Sequence, residues 1–254
     1  MYYAARTYLG LGARVRAATA AAADFPAAAL AGLDAAVVQA PRTTTFVNAY
    51  RDDGAREQRV EAVALPVVAA PVPPEWLASD VLHLAPVLGE IDLPAWLAAA
   101  RARFVGLGVQ GWVRAVAPDG RVTQPRWEIA PSDLRGVDAA CIGDDDVIGQ
   151  GDLLDRLAAA VPVVAFTHGE RGCELLLRGR TLRVGAYPTR AADPTGAGDA
   201  FAAGFFLALA EGAAPAAAAR LGAAAASIVV EARAGEALSR VAEARVRAAH
   251  VPVY

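Results

Sequence analysis

Short apolar runs alternate with amphipathic stretches along most of this 254-residue chain. Apolar runs that end at glycine, proline or polar loops predict buried strands, whereas apolar positions three and four residues apart predict helices. The predicted strands cover residues 13–19, 36–40, 80–86, 103–111, 137–143 and 161–167. The predicted helices cover residues 1–11, 27–33 and 93–102, with an alanine-rich helix pair over residues 213–226. Such an alternation is typical of an α/β fold in which helices cover a parallel sheet.

One segment has a different pattern, because polar and apolar residues alternate there in two consecutive runs. The runs are residues 43–50 and 56–63, and Asp52-Asp53-Gly54 between them has the residue types of a tight turn. This pattern predicts a β-hairpin with one polar face. The hairpin is either an edge of the main sheet or, as residues 41–64, a lid over a bound substrate. The predicted substrate contacts of such a lid are Asn48, Arg56 and Gln58.

Composition narrows the classes of function. A net charge of −3 gives no general attraction to nucleic acid or to acidic membranes. No apolar run reaches membrane-spanning length, and the start shows no signal-peptide pattern. Cys141 and Cys173 do not suggest a disulfide framework, so a cytoplasmic protein is expected. The length fits one α/β domain spanning residues 1–254.

Lysine is absent, since every basic residue other than histidine is arginine. A Walker-type phosphate loop and a lysine Schiff base are therefore excluded. A phosphate site in this chain has to use backbone amides, arginine or a metal ion.

The most informative motif is Asp-Pro-Thr-Gly-Ala-Gly-Asp at residues 193–199, which leads directly into an apolar helix. The backbone N–H groups of Gly196, Ala197 and Gly198 can approach phosphate oxygens at the helix N-terminus. Asp199 can accept the proton of an alcohol that is being phosphorylated. The alternative is an ordinary glycine turn before a buried helix, which is common for an isolated Gly-x-Gly.

The complete run, with its small-residue helix, resembles the C-terminal signature of the PfkB (ribokinase-like) carbohydrate kinases. The hairpin residues are similar to those of the sugar and cyclitol branch, which includes inositol kinase-like members. The resemblance implies a three-layer α/β/α, Rossmann-like fold with a β-hairpin lid. It also implies an ATP-dependent kinase that uses Mg²⁺ and phosphorylates a hydroxyl of a small sugar or cyclitol.

The resemblance implies roles for further residues. Thr-His-Gly-Glu-Arg-Gly at residues 167–172 is similar to the family's nucleotide loop, and Asp146 stands in a position linked to Mg²⁺. Gly143 and Gly108 depart from the family pattern, where relatives carry asparagine and aspartate. The implied cofactor-binding residues are Thr167, Gly169, Arg171, Gly172, Thr195, Ala224 and Gly235. The implied substrate-side residues are Gln110 and Arg114.

The resemblance begins inside the chain's first helix, which in relatives follows an aspartate-bearing strand and a Gly-Gly turn. Either the start is assigned too late, or the protein is a trimmed relative with altered substrate binding. The alternatives to a sugar or cyclitol kinase are a nucleoside kinase and a catalytically silent sugar or nucleotide sensor. A homodimer formed through the hairpin is a further expectation, whereas nucleic acid and membrane partners are not expected.

Overall fold

The apolar runs form strands that are covered on both faces, as central strands of an α/β fold must be. The protein is described here by a computed structural model covering residues 1–50 and 56–254. The strands are β1 (Arg16–Ala21), β2 (Asp34–Gln39), β3 (Thr45–Tyr50), β4 (Arg56–Ala62), β5 (Val81–Leu84), β6 (Phe104–Gly108), β7 (Ala115–Val116), β8 (Val122–Thr123), β9 (Ala139–Gly143), β10 (Val163–Thr167), β11 (Cys173–Leu177) and β12 (Arg180–Val184). The helices are α1 (Tyr2–Gly10), α2 (Pro74–Leu77), α3 (Leu93–Ala99), α4 (Leu153–Ala160), α5 (Ala197–Ala210), α6 (Pro215–Val229) and α7 (Ala244–Arg247).

The main sheet has six strands in the order β12-β11-β10-β9-β6-β5. Strands β5, β6, β9 and β10 are parallel, and β11 and β12 continue the sheet in antiparallel fashion. Strand β9 shows why both faces are apolar, because Ala139 and Cys141 belong to one core and Ala140 and Ile142 to the other. Helices α5 and α6 cover the first face, and α3 and α4 cover the second. The predicted three-layer α/β/α arrangement is confirmed.

The sheet is divided, because β1 and β2 form a separate parallel pair. Strand β5 pairs only with β6 among the described residues. A cavity of about 930 Å³ lies between β1 and β5, and α1 and α5 also contribute to its lining. The sequence predicted strands at both places but not that two strand edges would face each other across a gap.

The predicted hairpin is confirmed as the antiparallel pair β3–β4, although its Asp52-Asp53-Gly54 turn lies outside the described residues. A second, shorter hairpin of β7 and β8 packs beside it. The Val60 N–H donates to the Gly120 carbonyl across this junction, at 2.8 Å. Sequence reasoning missed the second hairpin because its strands have only two residues each.

Helices α5 and α6 pack closely because small residues lie where they cross. A side chain at Gly222 would lie 2.7 Å from the Phe201 carbonyl oxygen, and one at Gly204 would lie 3.1 Å from that of Leu221. The alanine-rich segment forms one helix rather than the predicted pair, since no breaker interrupts it after Pro215. The helix predicted over residues 27–33 is only a 3₁₀ turn at Ala27–Leu30. No helix among residues 1–50 and 56–254 is long and apolar enough to cross a membrane.

Candidate active site

The turn of residues 193–198 is held in place by the carboxylate at its start. Asp193 accepts hydrogen bonds from the Thr195 N–H at 2.9 Å and from the Ala234 N–H at 3.4 Å. The Thr195 hydroxyl and N–H hold the pKa of Asp193 below its usual range, with smaller contributions from Ala234 and Arg233. Gly196 closes the turn with a φ of 84°, a left-handed conformation that favours glycine. The turn is therefore fixed before any ligand arrives.

The turn presents backbone donors at the start of α5. Within the described part of the chain, the N–H groups of Gly196, Gly198 and Asp199 have no hydrogen-bond partner. The N–H of Ala197 is used inside the turn, 3.2 Å from the Pro194 carbonyl oxygen. Gly198 is exposed, and a Cβ on it would have no described atom within 4 Å. The unpartnered donors are thus those of Gly196, Gly198 and Asp199, whereas the predicted anion hole has Ala197 in place of Asp199.

The Asp199 carboxylate lies on the first turn of α5 and is half-buried. The carboxylate interacts electrostatically with the ring of His83, near the end of β5. Burial lowers the pKa of His83 to about 4, and Asp199 partly opposes this shift. The Tyr8 hydroxyl lies 3.4 Å from His83 Nδ1, and Phe206 packs edge-on against the ring at 4.9 Å. A neutral imidazole therefore lies near the candidate base.

The predicted nucleotide loop follows β10 and bends at Gly172. That residue has a φ of 89°, and a side chain on it would overlap the Val184 carbonyl. Asp144, in the loop after β9, accepts from Arg171 Nη2 at 2.6 Å and lies 2.7 Å from His168 Nδ1. Arg171, one of the implied cofactor-binding residues, is thus already paired with a carboxylate.

Asp144 is a residue whose role sequence reasoning missed, since it joins the two loops. A signal was available, because an acidic run follows one strand and a basic loop follows the next. The register pairs Gly143 with Thr167, so the two loops begin side by side. The Thr167 hydroxyl donates to the Ile142 carbonyl at 3.3 Å, and Gly169 lies in the same bend.

Arg114 and Asp146 form a buried pair beside these loops, and the half-buried Gln110 hydrogen-bonds to Asp146. Arg114 Nη2 lies 3.9 Å from Asp146 Oδ1, with 8% and 9% of the two side chains exposed. Asp146 also accepts from the Gly143 N–H at 3.1 Å. Burial raises the pKa of Asp146, while the Gly143 N–H, Arg114 and Gln110 oppose the shift. The structure brings these three predicted residues together.

Asp146 Oδ1 is buried, has no hydrogen-bond partner among the described residues and lies 3.9 Å from Arg114 Nη2. Among residues 1–50 and 56–254, no group of three or more histidine, cysteine or acidic residues could hold a metal ion. The Mg²⁺ role of Asp146 stays a prediction.

The remaining predicted residues are dispersed. Gly235, with a φ of 79°, lies beside the turn because its neighbour Ala234 donates to Asp193. Ala224 is fully buried inside α6 and does not reach the surface that a cofactor would occupy. Gln58 Nε2 donates to Asn48 Oδ1 at 2.8 Å across the β3–β4 hairpin. The side chain of Arg56 lies outside the described residues.

Comparisons with known proteins agree with this fold. The model of the pfkB family carbohydrate kinases matches residues 148–240, a segment that contains the nucleotide loop and the 193–199 motif. No curated protein matches the chain at a significant level. The resemblance to this family seen in the sequence is therefore confirmed over residues 148–240.

Solved structures of the ribokinase family share the fold at low identity. One is a pyrophosphate-dependent kinase complexed with a pyrophosphate analog and myo-inositol, at 20% identity and a TM-score of 0.76, with 95% of this chain and 90% of that chain covered. Ribokinase from Thermotoga maritima has 19% identity and a TM-score of 0.72, with 96% and 86% covered. Arabidopsis thaliana ribokinase complexed with ribose and ATP has 18% identity and a TM-score of 0.70, with 95% and 86% covered. The ribokinase-like fold is thus established.

Proposed function

We propose that this protein transfers a phosphoryl group from ATP to a hydroxyl of a small sugar or cyclitol, at the turn of residues 193–198. One observation carries the proposal. The N–H groups of Gly196, Gly198 and Asp199 have no protein partner in the described part of the chain and lie beside the Asp199 carboxylate. Such a cluster favours charge that develops on a transferred phosphate.

The acceptor oxygen attacks the γ-phosphorus of the donor, and the bond between that phosphorus and the leaving oxygen of ADP breaks. The Asp199 carboxylate takes the acceptor's hydroxyl proton, while the N–H groups of Gly196 and Gly198 bind the phosphate oxygens. The proton moves late in the reaction, which a loose transition state for phosphoryl transfer allows.

The other predicted residues have supporting roles in this proposal. Residues 167–172 and Thr195 lie on the donor side, together with Gly235. Gln110 and Arg114 shape the acceptor side from their contacts with Asp146. Residues 41–64 act as the lid, and the Asn48–Gln58 hydrogen bond orients the amides that would meet a polyhydroxylated substrate.

A donor and acceptor screen tests the proposal. Purified protein is incubated with ATP or pyrophosphate and with pentoses, hexoses, inositols or nucleosides, and phosphorylated product is followed by ³¹P NMR. Pyrophosphate is included because a structural neighbour is described as pyrophosphate-dependent. Turnover of a sugar or cyclitol with ATP supports the proposal. Turnover of nucleosides alone favours a nucleoside kinase, and binding without turnover favours a silent sensor.

The base assignment has its own variant. Asp199→Asn is expected to lower kcat about 10²- to 10⁴-fold with nearly unchanged ATP affinity, because only the proton acceptor is lost. Glu211→Gln, at the other end of α5, is the matched control and should keep full activity. Retained turnover in Asp199→Asn would remove Asp199 from the role of base.

A cytoplasmic location is also proposed. The two cysteines are free and buried, which agrees with a reducing compartment. Dimerisation through the hairpin stays a prediction, which sedimentation of the purified protein can test.

A further inference from the structure

Two tyrosines at the start of α1 lie against the candidate anion site. A side chain at Gly196 would overlap the ring of Tyr3, so this ring lies directly on the left-handed residue of the turn. The rings of Tyr2 and Tyr3 pack edge-to-face, with centroids 5.3 Å apart and planes at 73°. A Cβ on Gly235 would lie 3.0 Å from Tyr2 Cε1 and 3.4 Å from Tyr3 Cε1. The pair is thus wedged between the turn and the Gly235 loop.

The ring of Tyr3 limits the movement of the turn. Gly196 can adopt many backbone conformations, and a flexible glycine would let the free N–H groups point in different directions. A ring packed on Gly196 removes that freedom on one side and excludes water there. The packed ring therefore restricts the backbone of Gly196 before any ligand binds.

The hydroxyl of Tyr3 is a side-chain hydrogen-bond donor, unlike the backbone N–H groups of the turn. Within the described part of the chain, no protein group shares a hydrogen bond with it. Burial raises its pKa, and the nearby charges of Asp193 and Asp199 raise it further, so the phenol stays protonated at neutral pH. A phosphate approaching two carboxylates meets repulsion, which a neutral O–H donor partly offsets.

We propose that Tyr3 belongs to the anion site: its ring holds the turn, and its hydroxyl donates a hydrogen bond to the phosphate bound there. This assignment rests on the proposed function, because it takes the turn to be where a phosphate binds. Tyr2 supports the ring of Tyr3 from the side and contributes no hydrogen bond to the ligand.

Pyrophosphate binding tests the proposal without any acceptor. Calorimetric titration of the wild-type protein with pyrophosphate is compared with Tyr3→Phe, which keeps the ring and removes only the hydroxyl. Loss of one neutral hydrogen bond predicts about three- to tenfold weaker binding. The melting temperature of Tyr3→Phe should stay unchanged, whereas Tyr3→Ala should bind still more weakly. Tyr2→Phe is the matched control and should bind like the wild type.

Equal affinity of wild type and Tyr3→Phe would overturn the proposal, as would an equal loss in Tyr2→Phe or no pyrophosphate binding by the wild type. If Tyr3→Ala does not fold, Tyr3→Phe alone decides. A wild type that binds pyrophosphate through the Tyr3 hydroxyl but phosphorylates no acceptor would retain this proposal and refute the kinase assignment. Where turnover is found, Tyr3→Phe should raise the KM for the donor more than it lowers kcat.

Discussion

The two glycines of the turn should respond in opposite ways to alanine. Gly196 has a φ of 84°, and a side chain there would overlap the ring of Tyr3. The left-handed conformation costs alanine about 1–2 kcal/mol, and the overlap adds about 1–3 kcal/mol. Gly196→Ala should therefore lower the free energy of unfolding by about 2–5 kcal/mol. Urea titration followed by far-UV circular dichroism measures this loss.

Gly198 is the matched control for stability and the probe for function. A Cβ there has no described neighbour within 4 Å, and the residue lies in the first turn of α5. Because alanine is the better helix former by up to about 1 kcal/mol, Gly198→Ala should fold at least as stably as the wild type. In the proposed function, its methyl group would stand beside the N–H groups that bind the phosphate. We expect the donor KM to rise and turnover to fall.

A double-mutant cycle separates the two contributions at Gly196. Tyr3→Ala removes the ring, so the added cost of Gly196→Ala in that background should shrink to the conformational part, about 1–2 kcal/mol. A coupling energy of about 1–3 kcal/mol between the two positions is expected. Additive effects would show that the ring does not lie on the turn in solution. Undisturbed donor binding by Gly198→Ala would refute the view that a phosphate approaches these amides.

Further predictions concern the groups around the site. The pKa of His83 falls from 6.5 to about 4 on folding, so between these pH values the unfolded chain binds an extra proton and stability rises with pH. Urea midpoints should therefore fall between pH 7 and pH 4 by an amount worth up to about 3 kcal/mol. His83→Leu should flatten this part of the curve, whereas His250→Gln should leave it unchanged. Arg114→Met leaves the buried Asp146 carboxylate without its cation and should lower the free energy of unfolding by about 3–5 kcal/mol. Adding Asp146→Asn should restore much of this loss. An unchanged free energy of unfolding in Arg114→Met would rule out the ion pair. Asp144→Asn should weaken the contacts that hold the nucleotide loop and raise the KM for the donor several-fold, with little change in melting temperature. An unchanged KM would contradict the role of Asp144 as the link between the two loops.

The sheet and its covering helices could be predicted because strands buried on both faces read as continuous apolar runs. Strands β5, β6, β9 and β10 all lie within the predicted ranges. The divided sheet could not be predicted, because the apolar pattern of β1 is that of any buried strand and does not indicate which strand pairs with it. Periodicity shows which residues are buried, whereas pairing depends on contacts distant in sequence.

The candidate site shows the same division between local and distant information. The turn of residues 193–198 was identified because its chemistry lies in consecutive residues. The predicted anion-binding role of Ala197 stays a prediction, and only the structure shows that its N–H donates to the Pro194 carbonyl inside the turn. The contact of Tyr3 with Gly196 joins residues almost two hundred positions apart in the chain. No local pattern could have indicated it.

The absence of lysine leaves phosphate binding in this chain to backbone N–H groups, arginine or a metal ion. A lysine ammonium can bind phosphate from many directions, so its surroundings need little precision. Backbone N–H groups bind phosphate only when the chain holds them in the right orientation. Here that orientation depends on the Asp193 carboxylate, the left-handed Gly196 and the Tyr3 ring. A chain that binds anions through its backbone should therefore lose donor affinity when any of these three is changed, even though none of them carries a positive charge.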